Sequence, residues 1–351
     1  MIGIRTRYIE QFDEKRLSDF FINVYGKNHI LNNPIHHNWQ FKNPFTSKYK
    51  SIIIVENEEK ILSHMGLSPF EIKVFDKKFD GVFEMSYYTK EEYRGQGIGS
   101  KILELIFSGF DSTSALSITK PSQSLHLKFG GKYFENINRF IKILNQKRLE
   151  HFLNKKLILS KDITLKNSHK FERIKYLDKN YTDFWNKVRK RYPITVERTI
   201  KYLDWRYLHH PLINYHFLVL IDKNEIVGYS IIRFEDQNDE LKAARIVDLI
   251  VFESYELIIL KNIINYCDQK VDFIDFYCTG DFYLNTLEKC GFFNNLRKNL
   301  MIPTLFNPID KNRNSINFYF YVKSDLSNKE KLYDQNNLFF VKGDSDQDRG
   351  Y

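Results

Sequence analysis

Tyr93-Arg94-Gly95-Gln96-Gly97-Ile98-Gly99-Ser100-Lys101 is the segment of this chain whose residue types and spacing point most directly to chemistry. It has the form Arg-x-x-Gly-x-Gly. Glycines at 95, 97 and 99 let the backbone approach an anion with no Cβ in the way. A helix starting here adds free N–H groups and the positive end of its dipole. The product is a concave site that suits a pyrophosphate. Two common phosphate loops do not fit. The mononucleotide loop needs Gly-x-x-x-x-Gly-Lys-Ser/Thr, and Gly99 is followed by Ser100. The dinucleotide fingerprint needs Gly-x-Gly-x-x-Gly, and the third glycine here comes one residue early.

Such a turn works only when its flanks hold it. Upstream, Gly81-Val82-Phe83-Glu84-Met85-Ser86-Tyr87-Tyr88-Thr89 is rich in aromatics and reads as a strand. Downstream, Ile98, Ile102, Leu105 and Ile106 fall on one apolar helical face. Ser114 to Ile118 reads as a second strand, followed by a helical patch around Ser124 to Lys128, then Gly130-Gly131 and Tyr133-Phe134.

This order and motif resemble the acyl-coenzyme A site of the GNAT N-acyltransferase superfamily. The resemblance implies an acyl-CoA co-substrate, acetyl-CoA or another. Its pyrophosphate would lie on Arg94, Gly95, Gln96, Gly97, Ile98, Gly99, Ser100 and Lys101. Its thioester carbonyl would be polarised by backbone N–H groups near Tyr88 and Thr89, where the family splays this strand. Glu84, ten residues before Arg94, stands where several such enzymes keep a general base. The family often places a tyrosine, the acid to the leaving thiolate, four residues before the glycine of the last helix. Counting back from Gly130 gives His126, which can supply a proton. Ser86, Tyr87 and Tyr88 are alternative donors. Were Gly131 the counterpart, the position would be Leu127, which cannot act.

The chain also repeats itself at an offset of roughly 164 residues. Ser18 to Val24 returns as Thr182 to Val188, and the Trp39 segment returns around Trp205. The strand-turn-strand of Ser51 to Ser63 returns as His216 to Gly228. The Glu84 strand returns around Asp248, and Phe129-Gly130 as Cys290-Gly291. Five landmarks in one order predict two copies of one fold. The expected class is α/β (α+β), two tandem GNAT-like domains, each a mixed, mostly antiparallel sheet flanked by helices. Residues 1–150 carry the turn, 151–170 form a linker, 171–325 a degenerate copy, and 326–351 a tail. In the second copy Phe252 to Leu260 holds no glycine and two glutamates where a pyrophosphate would lie. Its expected task is to wall the acceptor pocket, where ligand sites tend to lie, or to support the first copy structurally.

Composition bounds the rest. The 351 residues include 42% hydrophobic positions, enough for two cores, and the net charge of +9 favours anionic partners. No nucleic-acid-reading module is visible. The N-terminus reads as a first strand and not as a signal peptide, and no apolar run reaches membrane-span length. Three cysteines without zinc spacing read as free thiols of a cytoplasmic protein. Asp344, Asp346 and Asp348 begin like a calcium loop but lack its glycine and glutamate, so no metal is expected. His36, His37, Trp39, Trp205, Arg206 and Tyr207 belong to the repeated segments and read as shared packing.

The expected activity is N-acyl transfer to the amine of a small acceptor. Tandem chains with one degenerate half include the bacterial N-acyltransferases of nucleotide-linked (dTDP or UDP) amino sugars for surface polysaccharides, which makes such a sugar the best-fitting acceptor. The ending Lys342 to Arg349 also resembles that group. The rivals are a protein or antibiotic amine as acceptor, a CoA binder without catalysis, and, last, a basic nucleic-acid binder.

Overall fold

The structure is a computed structural model that describes residues 3–46, 50–58, 60–157, 169–237, 241–295, 300, 302–304, 315–323 and 329–348. Most of the expected linker (158–168) and the last three residues lie outside the described residues.

Sixteen strands are described in chain order: β1 Arg5–Tyr8, β2 Ile52–Glu56, β3 Ile61–Val74, β4 Lys77–Thr89, β5 Ser112–Leu116, β6 Lys132–Phe134, β7 Asn138–Ile143, β8 Lys170–Ile174, β9 Ile194–Val196, β10 His216–Asp222, β11 Glu225–Gln237, β12 Leu241–Val251, β13 Phe273–Cys278, β14 Phe293–Asn294, β15 Phe318–Val322 and β16 Leu338–Phe339. The main path of the first sheet runs β1-β2-β3-β4-β5-β15-β6, with β9 and β16 attached beside β3. The second runs β8-β10-β11-β12-β13-β7-β14. Taken position by position the two orders are the same, and each contains one parallel pair on its path, β4 with β5 and β12 with β13. The expected mixed, mostly antiparallel sheets are present in both halves.

The halves are not independent along the sequence. β7 comes from the first span and sits in the second sheet, beside β13. β15 comes from the second span and sits in the first sheet, between β5 and β6. The sheets therefore cut across the division into 1–150 and 171–325, and β16 draws part of the expected tail 326–351 into the first sheet.

Helices cover the sheets: α1 Glu14–Tyr25, α2 Pro34–Phe41, α3 Ile98–Gly109, α4 Lys120–Leu127, α5 Gln146–Leu153, α6 Lys179–Val188, α7 Ile200–Leu203, α8 Glu256–Cys267 and α9 Leu284–Lys289. β2 shows how the sequence specifies two layers. Ile52 and Ile54 pack with Leu17, Phe20 and Phe41 under α1 and α2, whereas Ile53 and Val55 pack with Ile98, Ile102 and Ile106 of α3. A strand buried on both faces reads as a continuous apolar run. α2 starts where Asn33 accepts from the N–H groups of Ile35 and His36 and Pro34 fills the first turn.

The repeated tryptophans meet across the pseudo-symmetry. Trp39 Nε1 donates to the Trp205 carbonyl at 3.0 Å, and Trp205 Nε1 donates to the Trp39 carbonyl at 3.2 Å. Their rings stack with centroids 5.3 Å apart. These are packing residues, as their recurrence in both copies implies. Trp39→Ala or Trp205→Ala should each destabilise by about 3 kcal/mol, and the double variant by clearly less than the sum. Chemical denaturation of the four chains checks this; strictly additive losses would contradict the reciprocal pairing.

Candidate active site

β4 and β5 pair only over Gly81–Phe83 with Ser112–Ser114. Beyond that register they part, and the opening is a cleft enclosing about 670 Å³, solvent included. Its walls include Glu84 to Tyr87 on β4 and Ala115 to Thr119 after the last pair on β5. On the other edge of β4, His64 pairs with Tyr88 and Gly66 with Met85. One residue of β3 thus faces two of β4, a bulge at Ser86 and Tyr87. Ser86 has φ +51°. Tyr25 holds the bulge: its hydroxyl donates to the Ser86 carbonyl at 3.1 Å and meets His64 Nε2 at 2.9 Å. Burial pushes His64 down to about 3, so the ring is neutral and donates to the tyrosine. The sequence expectation put the carbonyl-polarising groups near Tyr88 and Thr89. Those two residues stay in register with β3, and the irregularity lies just before them.

The glycine turn follows directly. Glu91–Tyr93 makes a single 3-10 turn, and α3 begins at Ile98 with Gly97 as its cap. Gly95 has φ +76° and Gly97 φ +78°, and a Cβ at either would meet nothing within 4 Å. Conformation, not space, requires these two glycines. Gly99 is the reverse: a Cβ there would stand 2.5 Å from the Tyr87 hydroxyl and 2.7 Å from Leu125. Arg94 Nε donates to the Thr89 carbonyl at 3.1 Å, Nη1 pairs with Glu91 at 3.3 Å, and the guanidinium lies over Tyr88. Gln96 donates to the Glu92 carbonyl. Arg94 to Gly97 and Lys101 are exposed, Gly99 and Ser100 half-buried and Ile98 buried, so the cradle opens to solvent above its apolar anchor. The first N–H groups of α3 have no partner within the helix, and the whole set can receive a pyrophosphate.

At the throat of the cleft Glu84 is buried. Thr113 Oγ1 donates to its Oε1 at 2.9 Å, and His126 Nε2 meets its Oε2 at 2.7 Å. His126 Nδ1 faces the Ser122 carbonyl at 2.7 Å, which can only accept, so Nδ1 carries a proton. The second proton lies between Nε2 and Glu84. Burial disfavours the charged ring, but the Glu84 charge, its hydrogen bond and the Ser122 carbonyl outweigh that penalty, so His126 titrates above its ordinary 6.5. Sequence reasoning thus selects a pair that the fold brings together.

It does not foresee how the pair is used. Both ring nitrogens of His126 are engaged, and Glu84 and Ser122 line the cleft while His126 lies behind them. The histidine therefore does not present an N–H to a thiolate. Leu127 is 45% exposed, so Gly130 and not Gly131 gives the inward position. Of the alternative donors, Ser86 and Tyr87 line the cleft, whereas Tyr88 packs with Phe20 and Tyr25. Burial raises the Tyr87 pKa, keeping a proton to give.

Other members carried no sequence signal. Thr113 is one threonine among many. Tyr319 comes from β15, 193 residues from His126; its ring meets the imidazole at 4.8 Å and its hydroxyl donates to the Gly130 carbonyl at 2.7 Å. Asp346 and Gln347 reach the cleft from the C-terminal segment.

The equivalent opening in the second half is filled. β12 and β13 pair over Ala243–Ile246 with Phe273–Phe276 and then part. The chain's own residues 338–344 enter there. Cys278 bridges Val341, the Thr279 N–H donates to the Phe340 carbonyl at 2.9 Å, and Phe340 N donates to Thr279 Oγ1 at 2.8 Å. Gly343 passes so close that a Cβ would stand 2.5 Å from the Val247 carbonyl. At the place of the glycine turn, Glu256 is paired with Arg191 and Thr286. All three cysteines are buried and none forms a disulfide. Among the described residues there is no cluster fit to hold a metal and no helix long and apolar enough to cross a membrane.

Comparison with known proteins agrees with this geometry. The profile of the acetyltransferase (GNAT) family matches residues 16–130. No curated protein matches the chain. Among solved structures, Saccharomyces cerevisiae N-myristoyltransferase with bound myristoyl-CoA and inhibitors superposes with TM-score 0.57 at 12% identity, covering 92% of this chain and 80% of that one. A GCN5-related N-acetyltransferase from Anabaena variabilis gives TM-score 0.60 at 11% identity, with 92% and 73% covered. A probable N-acyltransferase from Enterococcus faecalis gives 0.59 at 11% identity, with 92% and 72% covered. At such identities the likeness is one of fold, and it extends over both halves.

The raised His126 pKa has a thermal consequence. Its stabilisation is fully present below about 6.5 and is lost as pH rises through the higher folded value. The melting-temperature gap between wild type and Glu84→Gln should therefore be largest at low pH and shrink as pH rises. A gap independent of pH would remove the charged pair from the account.

Proposed function

We propose, with residues 16–130 as a GNAT acetyltransferase domain and acyl-CoA as its co-substrate, that this chain transfers the acyl group to the amine of a small acceptor. The observation that carries the reading is the alignment of three features along one strand: the glycine cradle after β4, the parting of β4 from β5, and buried Glu84 at its throat. In this reading Arg94 and the N–H groups from Gly95 to Lys101 hold the pyrophosphate, and the pantetheine arm runs down the open edge past Thr89, Tyr88 and Tyr87.

The reaction balances as follows. Glu84 takes a proton from the acceptor ammonium, directly or through water. The neutral nitrogen attacks the thioester carbon, with the bulge at Ser86 and Tyr87 offering N–H groups to the oxyanion. The C–S bond breaks, the thiolate takes a proton from Tyr87, and the nitrogen gives up its second proton, which returns through water to Tyr87, while the first leaves Glu84 to solvent. His126 is a positioning residue: it holds Glu84 in place and does not touch the substrate. A cytoplasmic setting, where acyl-CoA is available, is part of this reading.

For the acceptor we propose a nucleotide-linked amino sugar. The support is the tandem layout with one non-functional cleft and the basic net charge of +9, which suits a diphosphate. The division of labour follows the sequence spans, the first carrying the chemistry and the second the acceptor side, with one strand exchanged each way.

Acyl-CoA should release free thiol when supplied with at least one amine from a panel of UDP- and dTDP-linked amino sugars, spermidine, an aminoglycoside and a peptide with a free N-terminus. Calorimetry should give one CoA per chain, because the second cleft is filled. Gly97→Val should weaken that binding severalfold, since a left-handed cap strains any β-branched residue. Glu84→Gln should lower kcat by about 10²-fold or more with CoA affinity kept. No CoA binding and no thiol release with any panel amine would overturn the reading.

A further inference from the structure

We propose that Asn317, brought into the first sheet at the head of the exchanged strand β15, is a positioning residue that holds the β5 wall of the acyl cleft open for the donor. The proposal rests on the acyltransferase reading above and adds a residue to it.

Two bends shape the cleft. The last pair between its parallel strands is Phe83 with Ser114. Three residues beyond that pair, one on each wall, stand Ser86 with φ +51° and Ser117 with φ +62°. Both line the cleft. A residue other than glycine is strained in this left-handed region and stays there only when its surroundings hold it. On the β4 wall Tyr25 of α1 does so, through the Ser86 carbonyl.

On the β5 wall the task falls to Asn317. Its backbone carbonyl accepts from the Ser117 N–H at 2.9 Å. Its side chain binds the next residue both ways. Oδ1 accepts from the Ile118 N–H at 2.9 Å, and Nδ2 donates to the Ile118 carbonyl at 2.9 Å. An amide used in both directions stands in for a neighbouring strand and satisfies backbone groups that the bend takes out of the sheet.

The second half has a version without strain. There Gly280, with φ +68°, follows the end of β13, and Asn138, the first residue of β7, donates to its carbonyl at 2.7 Å. Glycine takes that conformation freely. Leu249 and Thr279, three residues beyond the last pair of β12 and β13, do not have positive φ. The strained bends therefore belong to the open cleft, and the filled one does without them. Released from Asn317, Ser117 would relax toward extended backbone. A straight β5 could then continue its pairing with β4 and close the space that the pantetheine arm needs.

The test is calorimetry of CoA binding to the full chain. Asn317→Ala should weaken binding tenfold or more. Asn317→Asp has the same shape but cannot donate to the Ile118 carbonyl, and should cost a similar factor. Adding Ser117→Gly to Asn317→Ala should recover much of the loss, because glycine keeps the bend unaided. Val322→Ala, buried at the far end of β15, should lower the melting temperature yet leave CoA affinity within about twofold. In turnover the Asn317 variants should lose on the acyl-CoA KM, with the acceptor KM unchanged. A folded Asn317→Ala chain that binds CoA as tightly as wild type overturns the proposal. So does an equal loss in Val322→Ala, or no recovery on adding Ser117→Gly. If Asn317→Ala does not fold, Asn317→Asp decides in its place by the same criterion. Failure of the acyltransferase reading is separately visible, as absence of both CoA binding and thiol release in wild type.

Discussion

The structure depends on what happens where two parallel strands stop pairing. β4 leaves β5 after Phe83, and β12 leaves β13 after Ile246. Each parting exposes backbone N–H and C=O groups inside the molecule, and buried groups of that kind need partners. The two halves meet this demand differently. In the second half the chain supplies partners itself, with residues 338–344 entering the gap and Tyr283 donating to the Leu249 carbonyl at 2.8 Å. In the first half the gap stays open as a cleft, next to a glycine cradle. An open gap with an anion site at one end is suited to an extended ligand with a charged head, and the acyl-CoA assignment follows from that shape.

The filled gap also explains why the second half is needed. Its contents are the C-terminal segment, and that segment continues from Asp344 to the mouth of the first cleft. The strand exchange works in the same direction. β15 crosses from the second half to lie beside β5 and places Tyr319 against His126. Neither half could close its own cleft alone, because the strand beside β5 and the strand beside β13 each belong to the other span.

Much of this was legible in the sequence, for local reasons. The cradle is a run of neighbours whose glycines answer to φ at 95 and 97 and to packing at 99. Glu84 and His126 are found because each stands at a fixed distance from a glycine landmark. The repeat survives as periodic landmarks. What stayed hidden depends on long-range pairing. No local pattern tells β7 and β15, each a short apolar run, which sheet to join. That Asp344 and Asp348 are buried in ion pairs could not be told either, because alternating carboxylates in a polar tail look the same whether they are paired or solvated. The role of His126 was misplaced for a related reason: its type suggests an acid, but the Ser122 carbonyl and Glu84 occupy both nitrogens.

Comparing the two acids at the equivalent point of each half gives the strongest internal argument for where the chemistry lies. Glu84 and Asp248 both follow the last paired residues of a parting strand, and both are buried against a cationic partner. Asp248 faces Arg198, which stays charged at any ordinary pH and is itself held by Asp344. Its arrangement is permanent, and it lies behind a filled gap. Glu84 faces a histidine, the one side chain whose charge changes near neutral pH, and it borders an open cleft. Duplication of one fold thus leaves two versions of one buried pair. The version with an arginine locks the tail in place, and the version with a histidine stands beside an open cleft and is the one whose charge can change near neutral pH.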